Sequence, residues 1–230
     1  MSDLSADFSC IAIETATKHA SVAVCNGIQE ASVELVDSQQ SSREIYKAIA
    51  TALDETGLRK ADVKCIAFGQ GPGSFTGVRV GASAAQGLAY ALQVPVCRVS
   101  TLAALAWNAH IKHGVDSVIA CLDARMGEAY VGHYRCKVDA IAAISVDALV
   151  HPDSFAISPE VAGGFAAGDG WGVWPQMLGN DHAAEPGIDT DVWPTAIAIL
   201  QLARFMYSSG DTVSPENALP NYLRDKVTHS

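Results

Sequence analysis

Apolar and polar positions change period several times along this chain. Residues 9–14 (Ser-Cys-Ile-Ala-Ile-Glu) and 20–25 (Ala-Ser-Val-Ala-Val-Cys) are short apolar runs around a polar turn, which predicts two paired strands. The alternating run at residues 28–36 predicts a third. Behind Ser41 and Ser42, the side chains of Ile45, Ile49, Ala52 and Leu53 recur at helical spacing and stop at Gly57, predicting an amphipathic helix. Residues 63–68 then read as a buried strand and residues 74–92 as a second helix. Residues 94–99 read as another strand, and residues 102–113 as a third helix capped by Ser100 and Thr101.

The opening pattern then returns. Residues 118–123, a turn at 124–127, and residues 128–134 form a second strand–turn–strand unit. Aligned without gaps, Glu14 falls on Asp123, Ala20 on Ala129 and Val22 on Val131, so a carboxylate ends the first strand of both hairpins. This predicts an α/β chain of two related lobes, the first over residues 1–106 and a smaller second over 107–230. The second is less regular. Residues 163–195 are rich in Gly, Pro, Asp and Trp and read as loops with one short helical turn, and Pro194 opens a last helix to about Tyr207.

Composition narrows the classes. At 49% hydrophobic and 17% charged residues, the 230-residue chain has the makings of a packed core. No apolar run reaches the ~18 residues a bilayer needs. The start carries two aspartates and no basic stretch, so no membrane association and a cytoplasmic location are expected. A formal net charge of −10, with no basic run, argues against an independent grip on nucleic acid. Six cysteines without a C-x-x-C pair read as buried reduced thiols.

The densest motif is Gly69-Gln-Gly-Pro-Gly-Ser-Phe-Thr-Gly77, between a strand and a helix. Free backbone N–H groups at such a turn can cradle phosphate. The spacing, however, is neither a Walker loop nor a dinucleotide fingerprint, and on pattern alone a tight turn with Ser74 as N-cap is the favoured reading. The helix behind it has Arg79 as its only charge. Phe75, Val78, Ala82, Ala85, Ala89 and Leu92 form one face, Gly77, Gly81 and Ala85 an edge of small residues, and Val80, Ala84, Gly87 and Ala91 the far side. Such a helix needs cover nearly all round: from the sheet on one side, and on the other from a neighbouring helix such as residues 42–56, from the second lobe or from another chain. Taken with the first helix, it predicts a partner surface at Ile45, Ile49, Leu53, Phe75, Gly77, Val78, Gly81, Ala82, Ala85, Leu88 and Ala89.

Catalytic machinery is hard to assemble. His110 and His113 share a helix face without a third ligand, and no G-x-S-x-G elbow is present. Glu14, with the adjacent Thr15, and Asp123 are the candidates for holding Mg²⁺ beside a nucleotide phosphate; the alternative is two acids at turns in solvent.

Five segments taken together resemble the bacterial TsaB (YeaZ) family. They are residues 69–81, residues 95–104, Leu122-Asp-Ala-Arg-Met-Gly-Glu128, Gly168-Asp-Gly-Trp171 and Tyr222-Leu-Arg-Asp-Lys-Val227, in the family's order, and the resemblance as a whole covers the chain from Ile11 to Val227. The resemblance implies a two-lobed actin-like fold (sugar kinase/heat-shock ATPase, RNase H-like) and no independent catalysis. It further implies pairing with TsaD, which transfers threonylcarbamoyl to the adenosine flanking the anticodon of ANN-decoding tRNAs, joined by the small ATPase TsaE. Self-association through first-lobe helices, tRNA contact only through the complex, and an ADP or ATP at the junction with TsaD also follow from it. The sequence departs from the pattern in two places. Ser42-Arg43-Glu44 stands where His-Ser-Glu is frequent, and Glu14 stands where Asp is usual. No histidine lies between Val22 and Ala109, so the metal-binding His-x-x-x-His of the catalytic relative has no counterpart. The competing reading is a stand-alone enzyme, either an actin-fold ATP-dependent phosphotransferase or a metallopeptidase-like hydrolase. A third is a homodimeric interaction module unconnected with tRNA.

Overall fold

A computed structural model describes residues 8–35, 42–158, 163–179 and 187–224. The cap at Ser41, His182, His229 and the last part of the C-terminal motif lie outside them. The chain divides into two units. One takes in residues 1–104 and 194–220, the other residues 105–193 and 221–230.

The first unit is built on β1 (Cys10–Glu14), β2 (Ser21–Cys25), β3 (Glu30–Glu34), β4 (Cys65–Gly69) and β5 (Val96–Val99), ordered β3-β2-β1-β4-β5. The β1–β2–β3 meander is antiparallel, while β4 and β5 add in parallel, as expected of strands joined by helical crossovers. Strands β1, β2 and β4 are buried throughout and read as continuous apolar runs, whereas β3 alternates, as an edge strand with one wet face does.

The two faces of the sheet differ in side-chain size. Ile11, Ile13, Val22, Val24, Ile66, Phe68 and Val96 make a core with α1 (Ser42–Thr56) and α2 (Phe75–Leu92). The alternate positions Cys10, Ala12, Ala23, Cys25, Cys65, Ala67 and Cys97 are small and fully buried. That face is covered by α5 (Ala196–Ser209), packed on β1, β2, β4 and β5. Thr195 caps α5 at Ala198 N, and Ser21 Oγ accepts from Ala196 N at 2.9 Å. The last helix therefore belongs to the first unit, not to the second lobe as the sequence boundaries had it: its apolar face finds the small-residue side of a sheet already formed from the N-terminal third. The chain leaves the first unit within α3 (Thr101–His113).

The second unit repeats the order. Strands β6 (Ser117–Asp123), β7 (Ala129–Lys137), β8 (Ala140–Ala143), β10 (Phe165–Ala167) and β11 (Ile188–Asp189) lie as β11-β10-β6-β7-β8, with β9 (Ala148–Val150) also beside β7. Read from first strand to fifth, both sheets run third-second-first-fourth-fifth, with the same antiparallel and parallel pairings. Glu14 pairs with Ser21 and Asp123 with Ala129. The gapless alignment is therefore one residue out on the second strand, because the first turn is longer by one.

Gly168-Asp-Gly-Trp171, read from sequence as loop, is a packing element. Gly168 has φ +107°, and a Cβ there would overlap the Cys121 carbonyl. A Cβ at Gly170 would overlap Cys121 Sγ. Trp171, in the short helix α4 (Gly170–Val173), is fully buried and donates from Nε1 to Ile119 O at 3.0 Å. Trp171→Phe removes that donor and leaves a buried carbonyl short of a partner. A loss of about 1–3 kcal/mol in urea unfolding is expected.

Candidate functional site: the outward face of the second helix

Ser74 caps α2 as expected, its Oγ accepting from Gly77 N at 3.4 Å. Gly77, Val78, Gly81, Ala82, Ala84, Ala85 and Ala89 are buried within the first unit, and so are Ile45, Ile49 and Leu53 of α1. Most of the surface expected for a partner is therefore this unit's own core. At Gly81, a Cβ would sit 2.5 Å from Thr15 Oγ1. The edge of small residues serves close approach of α2 to its own β1, not to a foreign helix. Of the expected positions, Phe75 remains exposed and Leu88 half-exposed.

What α2 turns outward is a different stripe. Thr76, Arg79, Ser83, Gly87, Tyr90 and Ala91 are exposed, with Val80 and Gln86 between them half-exposed. Tyr46 of α1, 45% exposed, adjoins it, its Oη 3.8 Å from a Cβ built on Gly87. Phe75 is 52% exposed and Tyr90 80%. The one charge, Arg79, lies over the Phe75 ring at 3.2 Å from its centroid. A helix of 18 residues whose outward face carries two aromatic rings and a single cation is unlike an ordinary solvated helix surface.

The residues expected to hold Mg²⁺ do not fit that role. The Glu14 side chain is fully buried and packed on Gly69, where a Cβ would overlap its carboxyl. Its Oε1 accepts from Ala16 N at 2.6 Å, and Thr101 Oγ1 lies 3.5 Å from Oε2. Desolvation by burial dominates these bonds and pushes the carboxyl up from 4.5 to about 7. The Thr15 hydroxyl is buried and donates to Gly77 O at 2.8 Å. Asp123 caps its own turn, Oδ1 accepting from Arg125 N at 3.0 Å and Oδ2 lying 3.2 Å from the Arg125 guanidinium. Each acid is used for local structure. The glycine-rich loop likewise spends its groups on the fold: Ala16 O accepts from Ser74 N, Val99 O from Gln70 N, and Gly71 O from Thr101 N.

Among the described residues no group of three His, Cys, Asp or Glu side chains is placed to hold a metal ion. The two helix-end histidines are bonded within the second unit, His110 half-buried and His113 exposed. His110 Nδ1 lies 2.8 Å from Val115 O, and His113 Nε2 lies 2.8 Å from Asp189 Oδ2. All six cysteines are buried thiols. No helix among the described residues is long and apolar enough to cross a membrane.

A profile of the TsaD family, described as tRNA N6-adenosine threonylcarbamoyltransferase, matches residues 34–163. The tRNA threonylcarbamoyladenosine biosynthesis protein TsaB of Escherichia coli (strain K12) is 37% identical over 224 residues, 94% of this chain and 95% of that protein. The chain belongs to the TsaB family. The TsaB of Haemophilus influenzae is 32% identical over 95% of this chain and 94% of its own length. The solved structure of YeaZ from Pseudomonas aeruginosa has a TM-score of 0.86 at 36% identity, covering 94% of this chain and all of that one. The paired five-stranded orders are those of the actin-like fold that the TsaB resemblance implies.

Two TsaB segments meet where sequence alone did not join them. The turn Asp123-Ala-Arg-Met-Gly-Glu128 has three successive residues with positive φ, at Arg125 (60°), Met126 (56°) and Gly127 (83°). Arg and Met rarely adopt this conformation, so the surroundings must impose it. Arg224, from the C-terminal motif, does so. Its guanidinium donates to Ala124 O at 3.2 Å and Arg125 O at 3.4 Å, and pairs with Glu128. Arg224→Ala is expected to cost about 1–3 kcal/mol and to speed amide exchange at residues 124–128 selectively. Arg224→Lys recovers little, because a single ammonium cannot replace the fork. Exchange no faster than in the parent chain would show that the turn holds itself.

Proposed function

We propose that this chain is an assembly subunit without turnover of its own. It pairs with a TsaD-family subunit and, together with TsaE, supports N6-threonylcarbamoylation of the adenosine beside the anticodon of ANN-decoding tRNAs. The observation that carries this reading is the outward face of α2, with Tyr46, Gly87 and Tyr90 exposed and one charge between Thr76 and Ala91. Family membership supplies the pathway. The net charge of −10 favours tRNA contact through the partner. A second copy of the chain competes for the same face, so self-pairing and pairing with TsaD exclude one another. Any nucleotide at the junction takes its metal from groups of the partner, since Glu14, Thr15 and Asp123 are committed within this chain. Light scattering on a sizing column, with this chain alone and mixed with its TsaD-family subunit, tests the reading. A homodimer that converts to a mixed pair is expected, with threonylcarbamoyl transfer only in the complete assembly. A chain that ignores the TsaD-family subunit would overturn it.

A further inference from the structure

The C-terminal end of α2 opens into a groove of about 600 Å³ within the first unit, one wall of which is Tyr90. Its other walls come from the turn into β5, with Pro95, and from the segment after α5, with Val213 and Pro215. The groove is preformed. Val96 and Val213 exchange backbone hydrogen bonds at 2.8 and 2.9 Å, and Gln93, at φ 56°, ends the helix with its N–H bonded to Ala89 O and Tyr90 O. Two prolines fix the lips.

Its electrostatics point one way. Glu216 is the only charged residue in the lining, with no lysine or arginine. The Ser214 hydroxyl bonds its carboxyl and holds it below the ordinary carboxylate range, so it stays anionic. The negative pole of α2 ends at the same place, and α2 has no basic residue in its last turn to offset it. Apolar walls, an exposed tyrosine ring and two converging sources of negative potential suit an aliphatic stem that ends in a cation.

We propose that this groove receives a lysine or arginine side chain of the partner subunit docked on the outward face of α2. Tyr90 belongs to both features, so a partner lying along Gly87, Tyr90 and Ala91 passes over the groove mouth. This inference rests on the α2 face being the partner surface; the groove then adds a cation-selective site to a face whose one charge is Arg79.

The test is the dissociation constant of the full chain with its TsaD-family subunit, at low salt and at about 0.5 M salt. Glu216→Arg is expected to weaken pairing at least ~10-fold at low salt and to flatten the salt dependence, with an unchanged melting temperature. Glu216→Gln is expected to fall between. Gly87→Arg, read beside it, separates the two ideas. Loss of binding by Gly87→Arg with Glu216→Arg within about twofold of the parent would sink the groove and keep the surface. Parent-like binding by both would sink both.

Discussion

At about pH 8, Glu14→Gln is expected to melt roughly 6–12 °C above the parent chain, with the difference shrinking as the pH is lowered. The cause is a carboxyl fully buried by the fold. Below pH 4.5 the folded and unfolded chains both hold its proton, and the group makes no difference to stability. From pH 4.5 to about 7 the unfolded chain ionises while the folded chain does not, so each pH unit costs the fold about 1.4 kcal/mol. Above about 7 both are ionised, and the loss levels off near 3 kcal/mol. Glutamine keeps an oxygen for Ala16 N and offers N–H to Thr101 Oγ1, so the bonding is conserved while the titration is removed. Other acids act in a different window. Asp189, held down to about 2 by the Lys112 ammonium, with Asp191 N and His113 adding to the effect, loses its contribution only as pH falls through the acid range. Urea unfolding of both proteins across neutral pH is the measurement. Parallel stability profiles would mean that Glu14 is solvated in solution and its carboxyl available after all.

Such a site was only partly legible from the chain. Elements with five or more residues and either a continuous apolar run, such as β1, β2 and β4, or a helical period, such as α1 and α2, fall where the pattern placed them. Strands β8, β10 and β11 have four, three and two residues, too short to display any period, and they exist because a neighbouring strand offers them an edge. The membership of α5 was hidden for another reason: Pro194 and the apolar spacing mark a helix, but not which sheet will cover it. Glu14 at the end of an apolar strand reads as a turn acid. The signal that it is buried is Gly69, far along the chain, whose missing side chain makes its room. Arg224 and the turn at Asp123–Glu128 were each visible as motifs, and their contact was not.

The same ambiguity governs α2, and two glycines on opposite sides of it separate the possibilities. Small residues on a helix announce that something comes close; they do not say what. At Gly81 the neighbour is Thr15, whose hydroxyl is 2.8 Å from Gly77 O and 2.5 Å from where a Cβ would be. Gly81→Arg must therefore push β1 and α2 apart or break that bond, with an unpaired charge entering the core. A loss of about 4 kcal/mol or more is expected, enough to unfold a domain of ordinary stability. Loss of pairing by Gly81→Arg thus says nothing about a partner. Gly87 has nothing nearer than Tyr46 Oη at 3.8 Å. There an arginine fits in solvent, gains about 1 kcal/mol of helix propensity over glycine, and places a charge in the middle of the outward stripe. Gly87→Arg is expected to fold at least as well as the parent and to run as a monomer that no longer binds the TsaD-family subunit. Circular dichroism melting beside light scattering reads both properties at once. A folded, still-pairing Gly87→Arg would place the partner somewhere other than this face, and a folded Gly81→Arg would mean that β1 and α2 are not packed as closely as Thr15 requires.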